Sequence, residues 1–128
     1  MAQRSILVVD DNEEFTELAM MALSVGPFDV LEANSGPEAL KIAKKHRPDA
    51  ILLDVSMPDM DGLKVLAKLK KNRKTKEIPV IMLTGKSKIE DLDAAFELGA
   101  NGYITKPIEF ADMVKIVEYK LEKAAAEA

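Results

Sequence analysis

Cysteine is absent from this sequence, and histidine occurs once, at His46. Without cysteine there is neither a disulfide framework nor a thiolate to act as nucleophile or metal ligand. That suits a reducing compartment and agrees with a cytoplasmic location. One histidine excludes any site that needs two. No apolar run approaches the length required to cross a bilayer, so no membrane association is expected. The opening "MAQRSILVVDD" does not read as a signal peptide, because its apolar run, Ile6 to Val9, is short and ends in two aspartates. A net charge of −4 gives no global attraction to nucleic acid.

What is present is the composition of an ordinary globular domain, 48% apolar and 31% charged over 128 residues. That length fits one compact domain with a real core, and residues 1–128 are read as a single domain. Five short apolar runs recur at similar spacing: Ser5–Val9, Phe28–Ala33, Ala50–Leu53, Pro79–Leu83 and Asn101–Thr105. Most are continuous rather than alternating, as expected of strands buried on both faces of a parallel sheet.

Helical periodicity fills the gaps. Phe15, Leu18, Ala19, Ala22 and Leu23 share one face; so do Leu63, Leu66 and Ala67; Ile89, Leu92 and Phe96; and Met113, Ile116, Val117 and Leu121. Ala39, Leu40, Ile42 and Ala43 mark a shorter helix. It opens on Ser35-Gly-Pro-Glu38, a capping-box pattern with Pro37 in the first turn. Gly99 follows Leu98 as a helix stop. The tail "KLEKAAAEA" reads as the fraying end of the last helix. The pattern predicts an α/β fold, (βα)5, with helices on both faces of a five-stranded parallel sheet. Right-handed crossovers leave few topologies, of which the flavodoxin-like order 2-1-3-4-5 fits best.

In such sheets ligands bind beyond the carboxyl ends of the strands. Strand 1 there ends in Asp10-Asp11, strand 3 in Asp54, strand 4 in Thr84 and strand 5 in Lys106. Each alone has an ordinary explanation. Asp10 or Asp11 could cap helix 1, Thr84 could cap helix 4, Asp54 could be a turn residue past a strand, and Lys106 could be a solvated loop lysine. Their joint placement at one sheet edge points to chemistry. Crowded carboxylates repel, and a hard divalent cation such as Mg²⁺ relieves this with oxygen ligands. A carboxylate beside Mg²⁺ and an ammonium is poised to attack a phosphoryl group.

The segments "VVDDN" at 8–12, "LLDVSMPDMDG" at 52–62, "MLTG" at 82–85 and "YITKP" at 103–107 together resemble the receiver domain of two-component response regulators, over essentially the whole chain. Part of the weight behind the strand order comes from this resemblance. The resemblance implies a stand-alone signalling switch rather than an enzyme. In it, Asp54 accepts a phosphoryl group from a phosphohistidine of a histidine kinase or histidine phosphotransfer protein. It further implies Mg²⁺ ligation by Asp11, Asp54 and the Ser56 carbonyl, with Asp10 assisting, and a lysine, Lys106, that pairs with Asp54 and then with the phosphoryl group. Thr84 matches the switch hydroxyl and Tyr103 the switch aromatic. Lys106-Pro107 matches a bond that is usually cis in the family.

The resemblance implies that Gly85, Lys86 and Ser56 fall at rim positions that tune dephosphorylation. Pro58 stiffens the site loop, Met57 flanks it, and Gly62 eases the turn into helix 3. Asp59 and Asp61 read as turn and capping residues. The readout is expected on the helix 4–strand 5–helix 5 surface, toward an unknown protein, with the chain a monomer or a phosphorylation-dependent dimer.

Other readings fit less well. The chain could be the receiver part of a DNA-binding transcription factor, but no output domain is present to bind nucleic acid directly. A haloacid-dehalogenase-type aspartyl-phosphate phosphatase needs a second Asp two residues after the nucleophile, where Ser56 stands. A flavin or nucleotide module needs a glycine-rich phosphate loop after strand 1, where "DDNEEF" would repel phosphate. The seven basic residues between Lys64 and Lys76 read as a solvated helix face and its following loop. Met20, Met21, Met82 and Met113 read as core filler.

Overall fold

The computed structural model describes residues 4–26, 28–55, 61–84, 89–105 and 109–127. Strands and helices alternate through the chain: β1 (Arg4–Val9), α1 (Glu13–Ser24), β2 (Phe28–Ala33), α2 (Gly36–His46), β3 (Ala50–Asp54), α3 (Gly62–Lys71), β4 (Val80–Thr84), α4 (Ile89–Glu97), β5 (Gly102–Thr105) and α5 (Phe110–Glu127). All strand pairs are parallel and the sheet order is β2-β1-β3-β4-β5. The expected topology is therefore the observed one.

The central strands carry unbroken apolar runs, Ile6–Val9, Ala50–Leu53 and Val80–Leu83, because each side of the sheet carries its own core. Leu7, Val9, Ile51, Leu53, Val80 and Met82 face α2 and α3, meeting Ala39, Ala43, Val65, Leu66 and Leu69. Ile6, Val8, Leu52, Ile81, Leu83 and Ile104 face the other way, onto Ala19 and Leu23 of α1 and Met113, Val117 and Leu121 of α5. Successive residues of a strand point to opposite faces, so a strand covered on both sides must be continuously apolar. β5, at an edge, instead alternates buried and exposed, with Tyr103 and Thr105 outward.

Two differences from the sequence reading have simple causes. α1 buries Thr16, Ala19 and Leu23, a stripe that turns Leu18 and Met21 to solvent. Met21 is thus not core filler, whereas Met82 and Met113 are fully buried. β3 runs one residue further than expected and includes Asp54. The helix stop at Gly99 is as expected: its φ of 105° lies in the left-handed region open to glycine.

Lys70, on the last turn of α3, ties three elements together at the edge of the sheet opposite the carboxyl ends. Its Nζ donates to the carbonyl of Ile78 at 3.0 Å, and more loosely to the Lys76 carbonyl and Asn101 Oδ1, each at 3.4 Å. Burial lowers its pKa from the ordinary 10.5, against the opposing pull of Glu77. The unfolded chain then binds more protons than the folded one between the two pKa values, so this group's contribution to stability rises with pH across that window. In urea unfolding, the stability difference between parent and Lys70→Met should shift in favour of the parent as pH climbs toward 10.5. A difference independent of pH would refute the burial effect.

Candidate functional site

Central strands β1 and β3 pair with Val9 opposite Leu53, which brings Asp10 and Asp54 side by side at the carboxyl edge. Asp11 follows. One carboxylate oxygen from each of Asp10, Asp11 and Asp54 lies within 4.8 Å of the other two. Asp10 is 1% exposed and Asp54 8%, while Asp11 stands in solvent. The cluster therefore has a rigid, buried floor and one open side.

The ordinary explanations for these carboxylates do not hold. Asn12 caps α1, its side chain accepting from the Phe15 amide at 3.1 Å. Asp61 caps α3, accepting from the Leu63 amide at 2.9 Å. Neither Asp11 nor Asp54 is needed as a cap. Asp54 is not a turn residue either: it pairs with Leu83 within the sheet, and the next amide, Val55, still donates to the Leu83 carbonyl at 2.9 Å. Asp10 is held at several points. Its amide donates to the Ala33 carbonyl at 3.1 Å, and its Oδ1 accepts from the Asn12 amide at 3.0 Å.

Thr84 ends β4 one residue beyond the partner of Asp54 and pairs with Thr105, so its backbone stands at the same edge. Tyr103 is about half exposed, its ring meeting Phe96 of α4 edge to face with centroids 6.1 Å apart and planes at 81°. Ser56, Met57, Pro58, Gly85, Lys86, Lys106 and Pro107 lie outside the described residues, as does Asp59.

Gly62 does more than ease a turn. A Cβ built on it would collide with the Asp54 carbonyl oxygen and lie 2.8 Å from both the Cα and the oxygen of Val55. The Gly62 amide donates to the Val55 carbonyl at 2.8 Å. The first turn of α3 thus presses directly on the backbone that carries Asp54. Asn34, missed in the sequence reading, is the other supporting residue: its Nδ2 donates to the Asp10 carbonyl at 2.9 Å. Nothing local marks it, because it stands 24 residues from its partner.

Three converging oxygen donors, with one side open for water, fit a hard divalent cation, and the octahedral, partly hydrated preference of Mg²⁺ in particular. With no thiolate or imidazole in the cluster, nothing favours a softer metal.

Residues 6–118 match the family described as the response regulator receiver domain. The chain is 39% identical over 125 residues to the alkaline phosphatase synthesis transcriptional regulatory protein PhoP of Bacillus subtilis, covering 95% of this chain and 51% of that protein. It is 34% identical over 118 residues to the DNA-binding dual master transcriptional regulator RpaA of Synechocystis, covering 92% of this chain and 49% of that one. The chain thus spans about half the length of these curated relatives. Among solved structures, a CheY-like response regulator receiver domain protein from Methanospirillum hungatei superposes with a TM-score of 0.92 at 28% identity, covering 98% of this chain and 99% of that one.

Proposed function

The chain belongs to the response regulator receiver domain family, and from that premise we propose that Asp54 is the residue that accepts its phosphoryl group. Receiver domains are phosphoacceptor signalling switches of two-component systems, not enzymes in the usual sense. The observation that supports Asp54 is its place inside the buried strand β3, within 4.8 Å of two further carboxylates whose helices are capped by other residues.

The donor is a phosphohistidine on a partner histidine kinase or phosphotransfer protein. A carboxylate oxygen of Asp54 attacks phosphorus, the P–N bond breaks, and the imidazole leaves with the electron pair and takes up a proton. The product is an acyl phosphate, which attack by water at phosphorus returns to Asp54 and inorganic phosphate. Asp10, Asp11, Asp54 and the Ser56 carbonyl would hold Mg²⁺, which when bound offsets the charge of the phosphoryl oxygens. Lys106 adds a second positive charge. Thr84 donates its hydroxyl to the phosphoryl group, and Tyr103 turns inward as it does so. Both states exist beforehand, and phosphorylation shifts their populations.

The altered surface is that of α4, β5 and α5, where Phe96 and Tyr103 already expose apolar area to a partner protein. A cytoplasmic site of action is part of this reading; no described helix is long and apolar enough to cross a membrane. One observation favours a second reading: the curated relatives are about twice as long and are transcriptional regulators. On that reading residues 1–128 are the receiver half of a DNA-binding protein.

Incubation with acetyl phosphate and Mg²⁺, followed by intact mass, tests the proposal. One added phosphoryl group is expected, and none once EDTA removes the metal. No addition with Mg²⁺, or equal addition in EDTA, would overturn it.

A further inference from the structure

We propose that Asn34 is a positioning residue for the carboxylate site, its side-chain amide fixing the Asp10–Asp11 peptide so that Asp11 is aimed correctly for Mg²⁺. This rests on the metal reading above. Asp10 and Asn12 are both hydrogen-bonded in place, and the oxygens of Asp10, Asp11 and Asp54 converge. Yet among the described residues no hydrogen bond restrains the exposed Asp11 carboxylate. Its direction must come from the backbone.

That backbone is a planar peptide unit formed by the Asp10 carbonyl and the Asp11 amide. Fixing the carbonyl fixes the plane on one side of Asp11, the Asn12 amide held on Asp10 Oδ1 fixes the other, and the two together set where the Asp11 Cα–Cβ bond points. Asn34 supplies the first restraint, with Nδ2 2.9 Å from the Asp10 oxygen. The same nitrogen donates to Thr16 Oγ1 at 3.3 Å, while Thr16 Oγ1 donates to the Glu13 carbonyl at 2.9 Å. The amide is therefore oriented from α1 as well. The backbone of Asn34 is held from α2: Glu38 Oε1 accepts the Asn34 backbone N–H at 2.7 Å. The capping box expected at Ser35 is thus displaced by one residue, with Ser35 accepting from the Glu38 amide and Glu38 reaching back past it to Asn34. Residues from β1, β2, α1 and α2 meet in one network whose centre is a side chain and whose output is the set of a single peptide plane.

The choice of metal gives the test. Mg²⁺ demands near-ideal octahedral geometry, whereas Ca²⁺ tolerates irregular ligand positions. Calorimetric titration of the intact chain with Mg²⁺ and with Ca²⁺, well below the unfolding temperature, should show Asn34→Ala weakening Mg²⁺ roughly tenfold, the usual range for a partner that orients a ligand. Ca²⁺ should weaken by less than about threefold on the same grounds. Asn34→Leu, similar in size but with no donor, should behave like Asn34→Ala. Thr16→Val, which removes the second acceptor together with the Thr16–Glu13 bond and leaves Asn34 in place, should show a smaller loss of the same selectivity.

Equal losses for both metals, or a normal Mg²⁺ affinity in Asn34→Leu, would overturn the inference by making Asn34 a packing residue. If Asn34→Ala does not fold, an unchanged Mg²⁺-to-Ca²⁺ ratio in Thr16→Val overturns it instead. A parent chain that binds no Mg²⁺ would overturn the metal reading itself, and the inference with it.

Discussion

Asp54→Asn should take up no phosphoryl group under conditions that fully label the parent chain. The amide is nearly the same size as the carboxylate but has no anionic oxygen to attack phosphorus. Folding should survive, because β3 is held in the sheet by backbone bonds the side chain does not make. Ile51 donates to the Pro79 carbonyl at 3.0 Å and Val55 to the Leu83 carbonyl at 2.9 Å. Circular dichroism would check the fold, and intact mass after acetyl phosphate would check the chemistry. A variant that still gains one phosphoryl group at the parent's rate would move the acceptor to another residue, Asp11 being the nearest exposed carboxylate.

Gly62→Ala should destabilise the protein by about 1–3 kcal/mol, the usual cost of forcing extra volume into a packed site. The sign makes this informative. Alanine is the better helix former by about 1 kcal/mol, and among the described glycines only Gly99 has a positive φ. A position in the first turn of α3 with an ordinary backbone would on that ground gain from the change. A loss is expected instead, because the added methyl would collide with the carbonyl of Asp54 and crowd Val55, both of them backbone within or next to a strand. The first turn of α3 must then back away or β3 must shift, so phosphorylation should slow as stability falls. Urea denaturation and labelling rate, measured on the same samples, would decide. A gain in stability would show that the contact is slack.

The fold was legible because its signals are local and redundant. Phe28–Ala33 could be read to the residue as β2, and the three central strands announce double-sided burial by unbroken apolar runs. Strand ends were less clear. Asp54 looks like a turn residue only until the pairing with Leu83 extends the ladder under it. Helix faces were legible in part: Ala19 and Leu23 are buried as the period requires, but burial of Thr16 beside them rotates Leu18 outward.

The convergence of Asp10, Asp11 and Asp54 was legible for a different reason, since parallel strands deliver their carboxyl ends to one edge whatever the loops do. Asn12 as the cap of α1 rests on a local bond to the Phe15 amide three residues on, but Gly62 as a point of backbone contact needs coordinates, for it is chosen by neighbours in space. Asn34 is the extreme case. Its partners, Asp10 and Thr16, lie 24 and 18 residues away, and no periodicity or motif links them.

The edge-to-face packing of Tyr103 on Phe96 has a practical consequence. The chain has no tryptophan and two tyrosines, and Tyr119 is the second, exposed on α5. Tyr103 is thus a nearly solitary chromophore at the surface proposed to respond to phosphorylation. Its ring current falls on Phe96 only while the two rings meet at 6.1 Å. The aromatic proton resonances of Phe96 should therefore register the position of Tyr103 without any label, giving a built-in spectroscopic readout of how much of the population has switched.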